Sequence, residues 1–104
     1  MTATVKVFLN QDFECFLRGY VHGDPLMLAA SWEERQPRDP GVLLEHVFDQ
    51  LNIDDPTEEW ALDYRARRNR SLSKGDVVVF GETAWSCESV GWKQIAMSDA
   101  VVVE

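Results

Sequence analysis

The side chains best suited to binding chemistry lie in one short basic run, Tyr64 to Arg70. Four arginines and a tyrosine fall within these seven residues. Guanidinium groups bind carboxylates and phosphates in a bidentate way, and an adjacent aromatic ring stacks on a base or a cation. Trp92 and Trp85 offer aromatic anchors further along the chain. We predict a partner-binding surface made of Tyr64, Arg65, Arg67, Arg68, Arg70 and Trp92.

An acidic block comes directly before the basic run, and this order leaves the role of the arginines open. Residues 33–63 hold ten acids against Arg35 and Arg38, a net charge of −8, whereas residues 64–75 carry +5. The arginines either pair with the acidic block and cover the sheet with their stems, or they face a partner. The overall charge of −8 disfavours general binding of nucleic acid.

The other reactive side chains form no catalytic or metal-binding motif. Cys15 and Cys87 make neither a CxxC pair nor a disulfide framework, and a buried structural role is common for such cysteines. His22, near Asp24, and His46 lack further ligands at zinc spacing. The sequence also lacks a glycine-rich phosphate loop and a nucleophile elbow. We predict no catalytic residues, no metal and no cofactor.

Length and composition predict a single folded domain over residues 1–104. The chain is 45% hydrophobic and 11% aromatic, enough for a core of the size usual at this length. No apolar run approaches the ~20 residues that span a bilayer. The start lacks the layout of a secretory signal, and two reduced thiols suit the cytosol. We expect a cytoplasmic protein without a membrane segment.

The first third of the chain is predicted to be a strand followed by a hairpin. Alternating apolar residues over 3–9 predict a half-buried strand. Residues 16–21 are predicted as a second strand, the HGDP sequence at 22–25 as a turn, and 26–32 as the returning strand. The alternative for this region is a short helix, because Phe13, Phe16, Leu17 and Tyr20 also fit a helical stripe.

Two helices are predicted in the middle of the chain. The first begins after a QPRDPG breaker, with Asp39 as a capping residue and Pro40 at the first helical position, and Asn52 is its stop. A second start signal is Asp55-Pro56, and the span 57–68 is either helical or partly extended. The i,i+4 spacing of Asp63 and Arg67 favours the helix. The apolar stripe of the first helix is Leu43, Leu44, Val47, Phe48 and Leu51.

A turn and a β-hairpin are predicted in the last third. Ser71, Ser73, Gly75 and Asp76 form a structural turn whose hydroxyls and carboxylate hold backbone amides. Residues 77–80 read as a buried strand, Gly81-Glu82 as a reversal, and 83–90 as the returning strand with a bulge at Gly91. Residues 100–103 form a final strand. The predicted class is α+β: a mostly antiparallel sheet of about four to six strands with one or two helices on one face.

Residues 43–95 resemble a known family. The segments that carry the resemblance are LLEHVFDQLN (43–52), Pro56, RSLSKGDVVVF (70–80) and VGWKQI (90–95). This pattern is similar to the YodL-like family of small domains associated with mobile elements. The chain departs from that pattern at Leu51, Gly75 and Trp92. The resemblance implies no settled enzymatic activity and no catalytic residues.

Three functions follow from these observations. The preferred one is a non-catalytic interaction module, an accessory factor of a mobile element or its host that binds a protein partner through the arginines and Trp92. The alternative is a nucleic-acid-binding domain that uses Arg65 to Arg70. A third is an acidic protein that mimics the charge of nucleic acid.

Overall fold

The computed structural model describes residues 3–35, 39–96 and the backbone of 101–103. Its strands form one six-stranded sheet, antiparallel in all pairs but one. The predicted α+β class and mostly antiparallel sheet are confirmed. Within the described ranges, no helix has the length and apolar character needed to cross a membrane. The elements are β1 (Ala3–Asn10), α1 (Cys15–Arg18), β2 (Pro25–Glu34), α2 (Pro40–Asn52), α3 (Glu59–Ala66), β3 (Val77–Phe80), β4 (Thr83–Cys87), β5 (Trp92–Ile95) and β6 (Val101–Val103).

The sheet order is β5-β4-β3-β1-β2-β6, and the central β1–β2 pair contains a bulge. Val7 pairs with Ala30, but Phe8 pairs with Leu28, so Ala29 is the extra residue. An extra residue reverses the alternation of side chains beyond it. Leu28 therefore shares a face with Phe8, and Ala30 shares the opposite face with Val7. The apolar alternation over 26–32 predicts a strand correctly. Because of the bulge, its apolar side chains do not all lie on one face of the sheet.

The strand predicted over 16–21 is wrong, because this region contains the single helical turn α1. Local hydrogen bonds start that turn: the Asp12 amide donates to Asn10 Oδ1 and the Glu14 amide to Asp12 Oδ1, both at 2.9 Å. Such bonds compete with strand pairing. The hairpin is formed by β1 and β2 instead. The helical alternative has the correct local structure, but its large apolar side chains are exposed: Phe13, Phe16 and Leu17.

Helix α2 has its predicted bounds, and α3 starts a little later than its sequence signal. Asp39 makes no side-chain cap among the described residues; its carbonyl accepts from the Leu43 amide at 3.0 Å. The α2 stripe is buried, apart from the half-buried Phe48. Helix α3 begins at Glu59 and ends at Ala66, so this part of the 57–68 span is helical. It buries Ala61 and Tyr64 against the sheet.

The last strands differ from the prediction in length and number. Strand β4 ends at Cys87, and a loop of residues 88–91 leads into β5, which pairs back onto β4. Gly91 is a loop residue with φ +76°, whose carbonyl accepts from the Glu88 amide, so the predicted bulge is wrong. The final strand is confirmed for β6, which runs parallel to β2, while Ala100 lies outside the described residues.

The sheet carries apolar side chains on both faces. The helices α2 and α3 cover one face, where Val5, Val7 and Val78 meet the α2 stripe and Tyr64. A smaller cluster lies on the other face, with Tyr20, Val79 and Ile95 around it; its buried members are Phe8, Leu26, Val77 and Ala84. The helices α2 and α3 therefore lie on one face of the sheet, as predicted.

Candidate functional site

Two residues of the predicted binding surface are held by contacts with the core. Tyr64 is fully buried, its hydroxyl donates to the carbonyl of Arg70, and burial raises its pKa. Arg70 forms a bidentate pair with Asp76, whose side chain has no exposed surface. Tyr64 is therefore a core residue, and Arg70 is held by a buried carboxylate.

The other residues of that predicted surface are separated from one another. Arg67 pairs with Asp63, as their spacing predicts, and Arg65 donates to the carbonyl of Ile53. Arg68 is exposed and has φ 63°, a left-handed backbone unusual for arginine. Trp92 is half-buried against Phe48, with 6.5 Å between ring centroids. No described contact joins Trp92 to the arginines, so a role for Arg65, Arg67, Arg68 and Trp92 in binding stays a prediction.

Arg70 and Asp76 belong to a partly buried network that we call the junction: Asn10, Arg18, Asp24, Arg70 and Asp76. Both Arg70–Asp76 hydrogen bonds measure 2.7 Å, and the Asp76 carboxylate also accepts from the amides of Asn10 and Ser73, each at 2.8 Å. These four donors compensate the cost of burying the charge. The hydrogen bond with Asp76 raises the pKa of Arg70. The pair therefore ties β1 to the turn before β3.

Asp24 and Arg18 form the second half of the junction. Asn10 Nδ2 donates to Asp24 Oδ2 at 2.9 Å and to the Gly75 carbonyl at 3.0 Å. Arg18 binds both Asp24 oxygens, at 2.9 and 3.0 Å. Burial favours the neutral form of Asp24, but the hydrogen bonds from Arg18, Asn10 and the Val21 amide prevail and lower its pKa to about 2. This half fixes the α1 segment to the sheet.

The predicted structural turn is found between α3 and β3. The Asp76 carboxylate accepts from the Ser73 amide, as predicted. The prediction that the Ser73 hydroxyl holds an amide is wrong, because Ser73 Oγ donates to the Ser71 carbonyl at 3.3 Å. Gly75 has φ +95°, and a Cβ there would lie 2.5 Å from Cys15 Cβ. Such a distance is not found between real side chains, so only glycine lets α1 approach this turn so closely.

A groove at the C-terminal end of β2 is the best candidate for a functional site, and we call it the acidic groove. It has a volume of about 720 Å³ and lies between the end of β2 and the start of α3. Trp32 and Trp60 stack in it with ring centroids 3.9 Å apart and planes 3° apart. Five carboxylates and one arginine surround the rings. The lining residues are Trp32, Glu33, Glu34, Arg35, Glu58, Glu59, Trp60 and Asp63.

Two residues of α2 position the start of α3, and hence one wall of the acidic groove. The buried Gln50 accepts from the amides of Thr57 and Glu58 through Oε1, at 2.9 and 3.0 Å. His46 Nε2 lies 2.8 Å from Glu58 Oε2, and its ring meets Trp60 edge-on at 6.0 Å. Both residues project from α2, so this helix fixes the position of the groove wall formed by the start of α3.

The charges of the acidic groove are largely uncompensated. Within the described ranges, Asp63 is the groove carboxylate that pairs with an arginine, and Glu58 meets His46. Glu33 accepts a hydrogen bond from Thr4 at 2.6 Å, and Glu59 has no described partner. Carboxylates arranged around an aromatic stack attract a cation. The lining of the groove therefore carries more negative than positive side chains.

The acids of this groove are evident in the sequence, but the groove is not. Glu33, Glu58, Glu59 and Asp63 all belong to the acidic block. The sequence patterns do not reveal the Trp32–Trp60 stack, because it joins residues 28 positions apart and depends on how α3 packs on β2. The available signal was one tryptophan beside acids in each of two predicted elements.

The two cysteines have the properties of structural thiols. Burial is the main cause of a raised pKa at Cys15, and it raises the pKa of Cys87 to about 11. A thiol with a raised pKa carries little of the thiolate that a nucleophile needs. Cys87 lines a small pocket of about 190 Å³ with Phe48 and Trp92, and the acidic residues Glu45 and Glu88 also line it. Among the described residues, no three metal-binding side chains converge.

Comparisons with known proteins complete the description of the site. Protein-family models, curated proteins and solved structures give no match to this chain.

Proposed function

We propose that this protein is a non-catalytic interaction module that binds a positively charged segment of a partner protein in the acidic groove. The observation that carries the proposal is the stacked Trp32–Trp60 pair, lying among carboxylates that are mostly without basic partners in the described ranges. Aromatic residues are enriched at the centres of protein interfaces, and charged rims give them specificity.

The tryptophan pair supports a protein ligand because both rings are half-buried and held on rigid elements. Trp32 projects from β2, where its neighbour in the sheet is Val5, and Trp60 projects from α3. A tryptophan face is the preferred side-chain partner for the guanidinium or ammonium group of a bound peptide. Little conformational freedom is lost on binding, since the rings are already stacked.

The charge of the groove selects the sign of the partner. Glu33, Glu34 and Glu59 have no basic partner among the described residues, and Arg35 is the single cation of the lining. A basic segment would relieve the mutual repulsion of these carboxylates, whereas an acidic one would add to it. We therefore place a lysine- or arginine-containing peptide in the groove.

The other predicted roles remain proposals beside this one. An accessory role for a mobile element or its host rests on the resemblance of residues 43–95 to the YodL-like family. Partner contacts by Arg65, Arg67, Arg68 and Trp92 rest on residue type and exposure. Two further proposals concern nucleic acid: the arginines bind it, or the acids mimic its charge.

A tryptophan fluorescence titration tests the proposal. The probe is a synthetic ten-residue peptide of alternating arginine and glycine, with an alternating glutamate–glycine peptide as its reverse-charge counterpart. We expect saturable binding of the basic peptide, weakened by added salt because the contacts are partly exposed. Failure of the basic peptide to bind at low salt would remove the proposal. Binding of a DNA duplex in the same titration would favour the arginine surface instead.

Matched charge variants separate the groove from the overall charge of the protein. Glu59→Gln in the groove should weaken peptide binding by about three- to tenfold, the usual effect of one interface charge. Glu82→Gln removes the same charge from the exposed β3–β4 reversal and should leave the affinity nearly unchanged. Equal effects of the two variants would mean that net charge, and not the groove, attracts the peptide.

A further inference from the structure

The two tryptophans of the acidic groove present flat ring surface to a ligand. Trp32 and Trp60 cover one face of each other, since their rings are parallel within 3° and their centroids are 3.9 Å apart. Both residues also line the groove, so the surface that a ligand meets consists of the outer faces and edges of the pair. Such a surface favours a ligand group that is planar, positively charged, or both.

Trp32 is the more open member of the pair. The ring of Trp60 also contacts His46, edge-on with 6.0 Å between centroids. Trp32 has Val5 of β1 beside it in the sheet, and β6 pairs with β2 only over Pro25–Met27. Within the described ranges, no strand therefore lies beside Trp32 on the side away from Val5. A ligand has more room to reach the ring of Trp32 than that of Trp60.

Glu34 lies where it can share a ligand with Trp32. The two residues are two positions apart in β2, and residues at this spacing face the same side of a sheet. Trp32 Nε1 donates a long hydrogen bond of 3.4 Å to Glu34 Oε1, which holds the carboxylate at the edge of the indole. Glu34 forms no ion pair with another described residue. Its charge is therefore available to a ligand that also contacts the ring.

We propose that the acidic groove selects arginine over lysine, with a guanidinium stacked on Trp32 and paired to Glu34. This inference rests on the function proposed above, because it names which basic side chain of the partner the groove takes. A guanidinium is planar, stacks on an aromatic face, and presents parallel N–H groups to a carboxylate. It therefore contacts Trp32 and Glu34 at the same time.

A lysine ammonium fits the same two side chains less well. It is a compact and strongly hydrated charge, so contact with the indole face costs part of its hydration. It also binds a carboxylate as a point charge and has no planar group to lie parallel to a ring. Asp63 of the same groove already accepts hydrogen bonds from two nitrogens of the Arg67 guanidinium. The net charge of the groove attracts both kinds of side chain, so a difference in affinity reports stacking and bidentate pairing.

Fluorescence anisotropy titrations of two dye-labelled peptides with the full chain at low salt test this selectivity. One peptide alternates arginine and glycine, and the other alternates lysine and glycine, with equal length and equal charge. We expect the arginine peptide to bind about three- to tenfold more tightly, because cation–π and bidentate contacts are of modest strength at a partly exposed site.

Two substitutions in the groove locate the selectivity. Trp32→Leu removes the aromatic face, and Glu34→Gln removes the charge of the carboxylate but keeps its shape. Each should reduce the ratio of the two affinities to below about twofold. Phe13→Leu is the control for the ring, since Phe13 is 81% exposed at the opposite end of β2. Glu82→Gln is the control for the charge, and both controls should keep the ratio of the original protein.

The outcomes separate this inference from the function on which it rests. An arginine preference that is lost in both groove variants and kept in both controls supports it. Equal affinities, or tighter binding of the lysine peptide, overturn it and leave the proposed function in place. A preference that survives either groove substitution, or that is lost in a control, also overturns it. If neither peptide binds, the proposed function and this inference both fail. If Trp32→Leu does not fold, the partly exposed Glu34→Gln decides alone.

Discussion

The junction and the acidic groove use the same kinds of charged side chain at the two ends of β2, roughly 30 Å apart at about 3.3 Å per residue. In the junction, Asp24 and Asp76 are nearly or fully buried, and each binds an arginine through both carboxylate oxygens. In the groove, carboxylates lie at the surface, mostly without arginines in the described ranges. Pairing and burial, not residue type, therefore separate structural charges from charges available to a ligand.

The strongest test of this difference is the same substitution at one Asp–Arg pair in each region. Asp76→Ala leaves the half-buried Arg70 guanidinium without its bidentate partner. It also leaves the backbone amides of Asn10 and Ser73 without a hydrogen-bond acceptor. The cost of breaking a buried pair is about 3–5 kcal/mol. Asp63→Ala at the groove breaks an exposed i,i+4 pair and should cost about 0.3–0.5 kcal/mol. Urea denaturation measures both free energies of unfolding.

Equal costs for Asp76→Ala and Asp63→Ala would contradict the division into structural and available charges. If Asp76→Ala does not fold, Asp76→Asn keeps the volume and the hydrogen-bonding shape while removing the charge. We expect Asp76→Asn to lie between the other two variants, because the amide still accepts from the Ser73 or Asn10 amide.

The next largest effect should come from the close approach of α1 to the turn before β3. Gly75→Ala would place a methyl group 2.5 Å from Cys15 Cβ at a backbone φ of +95°. Strain and overpacking together should cost about 2–4 kcal/mol. Gly81→Ala is the matched control: it shares a positive φ, +65°, and no described atom lies within 4 Å of the added carbon. It should cost about 1 kcal/mol.

Thermal denaturation compares the two glycine variants. The difference between their midpoints reports the contact with Cys15 separately from backbone strain, since both glycines have positive φ. A Gly75→Ala variant no less stable than Gly81→Ala would show that α1 can move away from the turn.

The sequence predicts those parts of the two regions whose interactions join residues close together in the chain. The turn of Ser71, Ser73, Gly75 and Asp76 was predictable because its signals are local in sequence. Its function in the junction was not, since Asp76 meets the Asn10 amide across 66 positions. The error at 16–21 has the same origin. An apolar pattern fits a strand there, but the short-range bonds of Asn10 and Asp12 and the distant Gly75 favour a helical turn.

The acidic groove was hidden for a related reason. Charge counting located the acidic block, but which carboxylates face one another depends on the packing of α3 against β2 and on Gln50, a buried polar residue of α2. Sequence patterns place Gln50 on the polar side of its helix, and nothing local shows that it holds the chain at Thr57 and Glu58. Arg70 is predicted as a surface residue because the turn signals at Asp76 indicate bonds to backbone amides and not the bidentate pair with Arg70.

The smallest expected effect is the loss of folding free energy at low pH when Asp24 of the junction becomes protonated. The folded state lowers the pKa of Asp24 to about 2 from its ordinary 3.8. The ionised form is therefore favoured in the folded protein, and its contribution is fully present above pH ~4–5. As the pH falls toward 2, the unfolded chain takes up this proton before the folded one does, and stability on the order of 2 kcal/mol is lost, since one pKa unit corresponds to about 1.4 kcal/mol.

Urea denaturation of the original protein and of Asp24→Asn between pH 2 and pH 6 isolates that contribution. The difference between their free energies of unfolding should be largest above pH 5 and should shrink as the pH approaches 2, because the original carboxyl becomes neutral like the amide. Glu59→Gln in the acidic groove provides the opposite case. Its carboxylate has no described basic partner, so its removal should leave stability within about 0.5 kcal/mol at every pH. A pH-dependent loss of the same size in Glu59→Gln would mean that the groove, like the junction, holds its charges for the fold.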